Sequence, residues 1–172
     1  MSATIATQLA NYFHKFDYRQ LPDASRVAVK RLLLDYLGVA IAGSQTESGH
    51  AARMFAQSTG TKSESTLIGD SVRVPATLAA FANAISSHSI ELDDIDVIAL
   101  FHFSPPVFSA ALATAEQHGA SGKQLLVALA LGCEMMDRVS RAANNSLRNR
   151  GDRKSTRLNS SHTDISRMPS SA

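Results

Sequence analysis

Apolar positions recur at helical spacing along most of the chain. Ile5, Leu9, Tyr12, Phe13 and Phe16 line one face of a first amphipathic helix. Leu21-Pro22-Asp23 reads as a turn and a helix start. From there Val27, Val29, Leu33, Leu34, Tyr36 and Leu37 lead into Val39-Ala40-Ile41-Ala42, and Gly43-Ser44 stops the helix. The spacing predicts a third, shorter helix over Ser48–Ser58, ended by Gly60. Glu64–Ile68 reads as a short extended piece closed by Gly69-Asp70. Pro75 opens a fourth helix to roughly Ser89, and a loop runs from Glu91 to Phe103. Pro105 and Pro106 open a fifth helix to His118, stopped by Gly119. Ser121 caps a sixth helix from Lys123 to about Ala143. The expected class is all-α with at most one short strand. The small residues of the fourth and fifth helices, from Ala76 to Ala84 and from Ser109 to Ala115, read as the core of a tightly packed bundle.

Composition supports this class. Hydrophobic residues make up 44% of the 172 positions, which excludes a disordered chain, and aromatics only 6%, which disfavours a β-sandwich or barrel. A single cysteine, Cys133, excludes a disulfide framework, a Cys-rich zinc site and a thiolate-held iron–sulfur cluster. No signal peptide is expected at the start, and no apolar run is long enough to span a membrane.

The net charge of +2 hints at an anionic macromolecular partner, but its location removes the hint. Residues 152–172 carry four basic and two acidic side chains, the whole of the excess, and the preceding 151 residues carry thirteen of each. A neutral body gives no nucleic-acid footprint. The tail is Ser-rich and polar, without apolar period. Its two halves, DRKSTRLNSSH and SRMPSSA, resemble in one frame the translation of a common sequencing-library adapter. Residues 152–172 are therefore expected to be a non-native, disordered tail, and the gene to be cut near Gly151.

The segment HSIELDDIDVIALFH stands apart chemically. His88, Glu91, Asp93, Asp94 and Asp96 crowd the exit of an Ala-rich helix, and His102 follows just before the two prolines. Adjacent carboxylates repel unless partners neutralise them, and with histidine they form groups whose proton affinities are pushed apart. A solvated acidic loop, an acid/base site and a metal site all fit the residue types. The run lacks the glycine and alternating spacing of an EF-hand and has no H-x-x-x-H or H-E-x-x-H pair.

The run LIGDSVRVPATLAAFANAISSHSIELDD, followed by HFSPPVFSAALATAEQHGASGKQLLVALALGCEMMDRV, resembles the MmgE/PrpD family, as does LLLDYLGVAIAGS near the start. That family includes 2-methylcitrate dehydratases, cis-aconitate decarboxylases and iminodisuccinate epimerases. The resemblance covers nearly all of residues 1–151. It implies the first part of a large helical domain, in a homodimeric, cytoplasmic enzyme whose active site lies against a smaller α/β domain. It also implies no metal, no organic cofactor, no nucleic acid and no membrane partner. The implied substrate is a small di- or tricarboxylic acid such as 2-methylcitrate, and the implied reaction is dehydration, with decarboxylation or epimerisation as alternatives. The family's acidic positions fall on Glu91, Asp93 and Asp94, and its loop histidine on His102. In this reading His102 takes an acid/base role, Asp93 or Asp94 orients it or tunes its pKa, Glu91 belongs to the catalytic set and with His88 holds the loop, and His88 and Ser104 meet substrate. Three departures leave the substrate open: Glu91 for the usual Asp, Ile95 for the usual Thr, and His102-Phe103-Ser104 for His-Pro-Ser/Gly. A later G-[FW]-H-x-T motif would be interrupted at Gly151, so this chain alone is expected to be inactive. The rival is a non-catalytic helical interaction module.

Overall fold

The computed structural model describes residues 4–97 and 101–143. The tail beginning at Asp152 lies outside the described residues. Among the described residues six α-helices form over the segments that the periodicity marks. They are α1 (Ile5–His14), α2 (Asp23–Gly43), α3 (Glu47–Thr59), α4 (Ala76–His88), α5 (Ser109–His118) and α6 (Gly122–Ala143).

Local chemistry sets their ends. The Thr4 hydroxyl accepts the Thr7 N–H at the start of α1, and the Thr46 hydroxyl accepts the Gly49 N–H at the start of α3. Ser121 and Gln124 make a reciprocal cap before α6: the Ser121 N–H donates to Gln124 Oε1 at 2.8 Å, and the Gln124 N–H to the Ser121 hydroxyl at 3.4 Å. Gly119 ends α5 at φ +61°, a conformation that costs glycine little.

The expected extended piece is one arm of a small hairpin. β1 (Ser65–Thr66) pairs antiparallel with β2 (Arg73–Val74), with Ser65 opposite Val74 and Thr66 opposite Arg73. The second arm, beyond the single strand expected, is too short to show a period of its own. Asn83 on α4 holds the hairpin: its Oδ1 accepts the Ile68 N–H at 2.9 Å, and its amide donates to the Thr66 carbonyl at 2.9 Å.

A second departure concerns the segment after the loop. The sequence reads residues 105–118 as one helix, but Ser104–Phe108 is a π-type turn that leads into α5. Pro105 and Pro106 bring no N–H, so the first turn lacks donors for regular pairing.

Helix α4 is central, packed by α2, α3 and α5. Most of its small residues are core, as expected: Ala76, Ala79 and Ala82 are buried beside Ala52, Ala56, Leu67 and Ala113, while Ala80 and Ala84 are partly exposed. The second core cluster joins Val29, Tyr36 and Ala40 of α2 to Phe108, Leu126 and Leu129. There the Tyr36 hydroxyl and the Ser109 hydroxyl share a buried 2.8 Å hydrogen bond. The closest approach is at Gly43, where an added Cβ would fall 1.8 Å from the Ser86 carbonyl oxygen. The α2 backbone thus lies directly on the C-terminal turn of α4, two residues before His88.

Helix α1 forms as predicted, yet no residue in it is buried. Its Ile5 and Tyr12, with Leu34 and Ile41 of α2, remain exposed. Among the described residues no helix is long and apolar enough to cross a membrane.

Candidate active site

His88 is the last residue of α4, and the chain turns sharply after it. The Glu91 N–H donates to the His88 carbonyl at 3.2 Å, and Glu91 sits at φ +53°. A non-glycine residue in the left-handed region is uncommon and costs free energy. The reversal turns Asp93 back towards the helix end. The Ser89 hydroxyl, bonded to the Ile85 carbonyl at 2.6 Å and to the Ser48 hydroxyl at 2.9 Å, anchors that end to α3.

Asp93 is the centre of the site. Its side chain is 0% exposed. Its Oδ2 lies 2.8 Å from His88 Nδ1 and 3.0 Å from His102 Nδ1. The first is a hydrogen bond. The second is a close polar contact, because the His102 ring is turned so that its Nδ1 makes no directed hydrogen bond. The two imidazoles meet edge to face, with ring centroids 4.8 Å apart. His88 and His102 side chains are 12% and 21% exposed, so the cluster is nearly buried but reaches the surface at the histidines.

Asp94, adjacent in sequence, does something else. Its Oδ2 accepts the Phe103 N–H at 3.0 Å and its Oδ1 the Ser104 N–H at 2.9 Å. Both oxygens of this carboxylate therefore cap the turn that opens at Ser104, where backbone N–H groups lack helical partners. This clamp fixes the backbone immediately after His102. The two ends of the loop are tied again by the Asp96 N–H, which donates to the Phe101 carbonyl at 2.9 Å.

The structure thus brings together three of the residues singled out in the sequence: His88, Asp93 and His102. Asp94 and Ser104 lie next to them through the backbone clamp. Glu91 is exposed and, among the described residues, lies outside the three-residue cluster. Of the six buried polar side-chain atoms without a hydrogen bond among the described residues, three lie here: Asp93 Oδ1, His102 Nδ1 and Ser104 Oγ. Buried polar groups are nearly always paired, and half of the unpaired ones gather at this loop.

One neighbour was not singled out for chemistry by the sequence. Cys133 on α6 has its thiol pKa pushed up to about 12, first by burial and then by the negative charge of Asp94. It lines a cleft of about 420 Å³ with Phe16, Val29, Leu32, Phe103 and Asp137. A residue more than 30 positions away in sequence, on a different helix, has no local signal that would reveal this.

A buried carboxylate between two imidazoles has the residue types used for general acid–base chemistry. A neutral His88 that donates its Nδ1 proton to Asp93 carries its basic lone pair on Nε2. No Lys or Arg occurs between His88 and Ser104.

The sequence model of the MmgE/PrpD N-terminal domain matches residues 7–159. The cis-aconitate decarboxylase of Homo sapiens is 32% identical over 144 residues, which cover 81% of this chain and 30% of that protein. The cis-aconitate decarboxylase of Mus musculus is 31% identical over 144 residues, covering 81% and 29%. The chain spans about 30% of the length of the curated relatives it matches.

Proposed function

The chain belongs to the MmgE/PrpD family, and from that premise we propose that it is the first part of a lyase acting by acid–base chemistry on a small di- or tricarboxylic acid. The observation that carries this reading is Asp93, its side chain buried between His88 and His102 at 2.8 and 3.0 Å. His102 is the group that gives or takes the proton at the reacting carbon, and Asp93 orients it and balances its charge. His88, bonded to the same carboxylate oxygen, holds Asp93 in place and supplies a second basic nitrogen. Asp94 is a positioning residue through its clamp on Phe103 and Ser104.

Decarboxylation is the first reaction to test, because both curated relatives are named cis-aconitate decarboxylase. Loss of carbon dioxide leaves an electron pair on carbon. An imidazolium beside Asp93 quenches it by C-protonation and returns to neutral imidazole. Dehydration of a hydroxy acid such as 2-methylcitrate makes related demands, with a base for the carbon-bound proton and an acid for the departing hydroxyl. The same two histidines suit those roles. The cations that bind the substrate carboxylates, absent between His88 and Ser104, come in this reading from the longer protein. We further propose that the longer protein is a homodimer in the cytoplasm, and that residues 152–172 are foreign to it.

The test is to recover the longer reading frame and incubate its product separately with cis-aconitate and 2-methylcitrate, following carbon dioxide release and loss of substrate. Turnover of cis-aconitate, abolished in His102→Ala with the helical spectrum retained, is the expected result. Dehydration of 2-methylcitrate alone would reassign the reaction to a hydro-lyase. No turnover of either acid, or full activity in His102→Ala, would overturn the acid–base reading. Clear turnover by the 172-residue chain alone would overturn the assignment of activity to a longer protein.

A further inference from the structure

We propose that His88, Asp93 and His102 form a binding site for one divalent transition-metal ion of the zinc class, and that the ion inhibits the site. The sequence spacing gave no metal motif, since the three residues stand five and nine positions apart. The fold nevertheless brings one ligand atom from each to within 4.8 Å of the others. Two imidazole nitrogens and a carboxylate are a donor set that suits zinc, cobalt and nickel better than magnesium or calcium.

Two of the three ligand-atom pairs need only open slightly, and the remaining pair, within 4.8 Å, closes by up to about 1.4 Å. Metal bonds of about 2.0–2.1 Å at tetrahedral angles place ligand atoms about 3.3–3.4 Å apart. Asp93 Oδ2 stands 2.8 and 3.0 Å from the two Nδ1 atoms, so an opening of about 0.3–0.6 Å per contact admits an ion of that size. The second and independent observation is the orphaned buried atoms. Asp93, with a side chain 0% exposed, leaves Oδ1 without a hydrogen bond to any described residue, and His102 Nδ1 is likewise unbonded. A metal ion held by Asp93 Oδ2 gives His102 Nδ1 a partner and replaces the single proton shared between His88 and Asp93. Three protein ligands leave a fourth position for water or a carboxylate oxygen, and the partial exposure of the two histidines provides entry.

The inhibitory consequence rests on the proposed acid–base function. A bound ion draws on the same carboxylate that supports His102 and fixes both rings, so neither is held for proton transfer. The binding claim itself does not depend on that reading.

The experiment is to titrate the purified 172-residue chain with Co2+ and follow the visible ligand-field bands. One equivalent of tightly bound ion with the intense bands of four-coordination is expected, displaced by Zn2+. His88→Gln and His102→Gln should each weaken binding by more than the about 10–100-fold that follows loss of a mere supporting partner. His118→Gln, at an exposed histidine, should change nothing. Far-UV circular dichroism checks that each variant keeps its helices. Should a variant unfold, the unaltered chain still decides: Zn2+ should protect His88 and His102, and not His118, from diethyl pyrocarbonate, read by mass spectrometry. Absence of ligand-field bands, bands that survive both substitutions, or no selective protection would overturn the site. Metal binding without turnover of any acid in the longer protein defeats the proposed function alone. Turnover without metal binding defeats this inference alone.

Discussion

Replacing Gly43 with alanine should destabilise the protein through a single misplaced methyl group. The new Cβ falls 1.8 Å from the Ser86 carbonyl oxygen and 2.9 Å from its carbon. The closest ordinary C···O contact is about 3.3 Å, so α2 and the end of α4 must part by about 1.5 Å at that point. Neither obstructing atom is the tip of a side chain that can swing away. Overpacking costs reach about 3 kcal/mol and sometimes more. Alanine gains about 1 kcal/mol over glycine in a helix, which leaves a net loss of about 2 kcal/mol or more. For a chain of this size that corresponds to a fall in Tm of about 4–8 °C. Gly38, on the same helix, has no atom within 4 Å of its added Cβ, so Gly38→Ala should stabilise by up to about 1 kcal/mol. Urea unfolding of the two variants and the parent, followed by circular dichroism, measures both. If Gly43→Ala is as stable as the parent, the α2–α4 crossing is not as close as described. In that case the placement of His88, two residues beyond Ser86, loses its support.

Three further outcomes follow from single side chains. Asp94→Ala removes two charged hydrogen bonds to the Phe103 and Ser104 N–H groups and should cost about 2–3 kcal/mol, with Asp94→Asn recovering part of it, measured by the same unfolding assay. Burial raises Tyr36 from 10.0 to about 12 and Cys133 from 9.0 to about 12, so the folded state keeps protons that the unfolded chain releases. The stability tied to these groups is present below pH 9 and falls as pH climbs towards 12. The urea midpoint should drop over that window, and Tyr36→Phe should flatten the part above pH 10; a flat profile in the parent would refute the burial of both groups. Resequencing the source gene should show a reading frame that diverges from DRKSTRLNSSH after Gly151, and a native frame through that run would refute the foreign tail.

What the sequence by itself determined is local or carried by resemblance. The helix start at Ser121 and the stop at Gly119 are legible, because capping depends on residues within one turn of each other. The family is legible too, because its signature runs are contiguous. The same locality explains the misses. The two-residue strand Arg73–Val74 has no period, and the π-type turn at Ser104–Phe108 reads as ordinary helix until its missing donors are placed. Within the acidic run, Glu91, Asp93 and Asp94 are chemically alike and nearly adjacent, so nothing local separates their roles. Only the tertiary structure decided them. The left-handed turn at Glu91 sends Asp93 inward, and the packing of α4 against α5 carries His88 and His102 to the same carboxylate oxygen. Asp94 is left facing the free N–H groups after His102. Convergence of that kind depends on chain reversals and on helices meeting far apart in sequence, whereas periodicity records only which face of each helix is apolar.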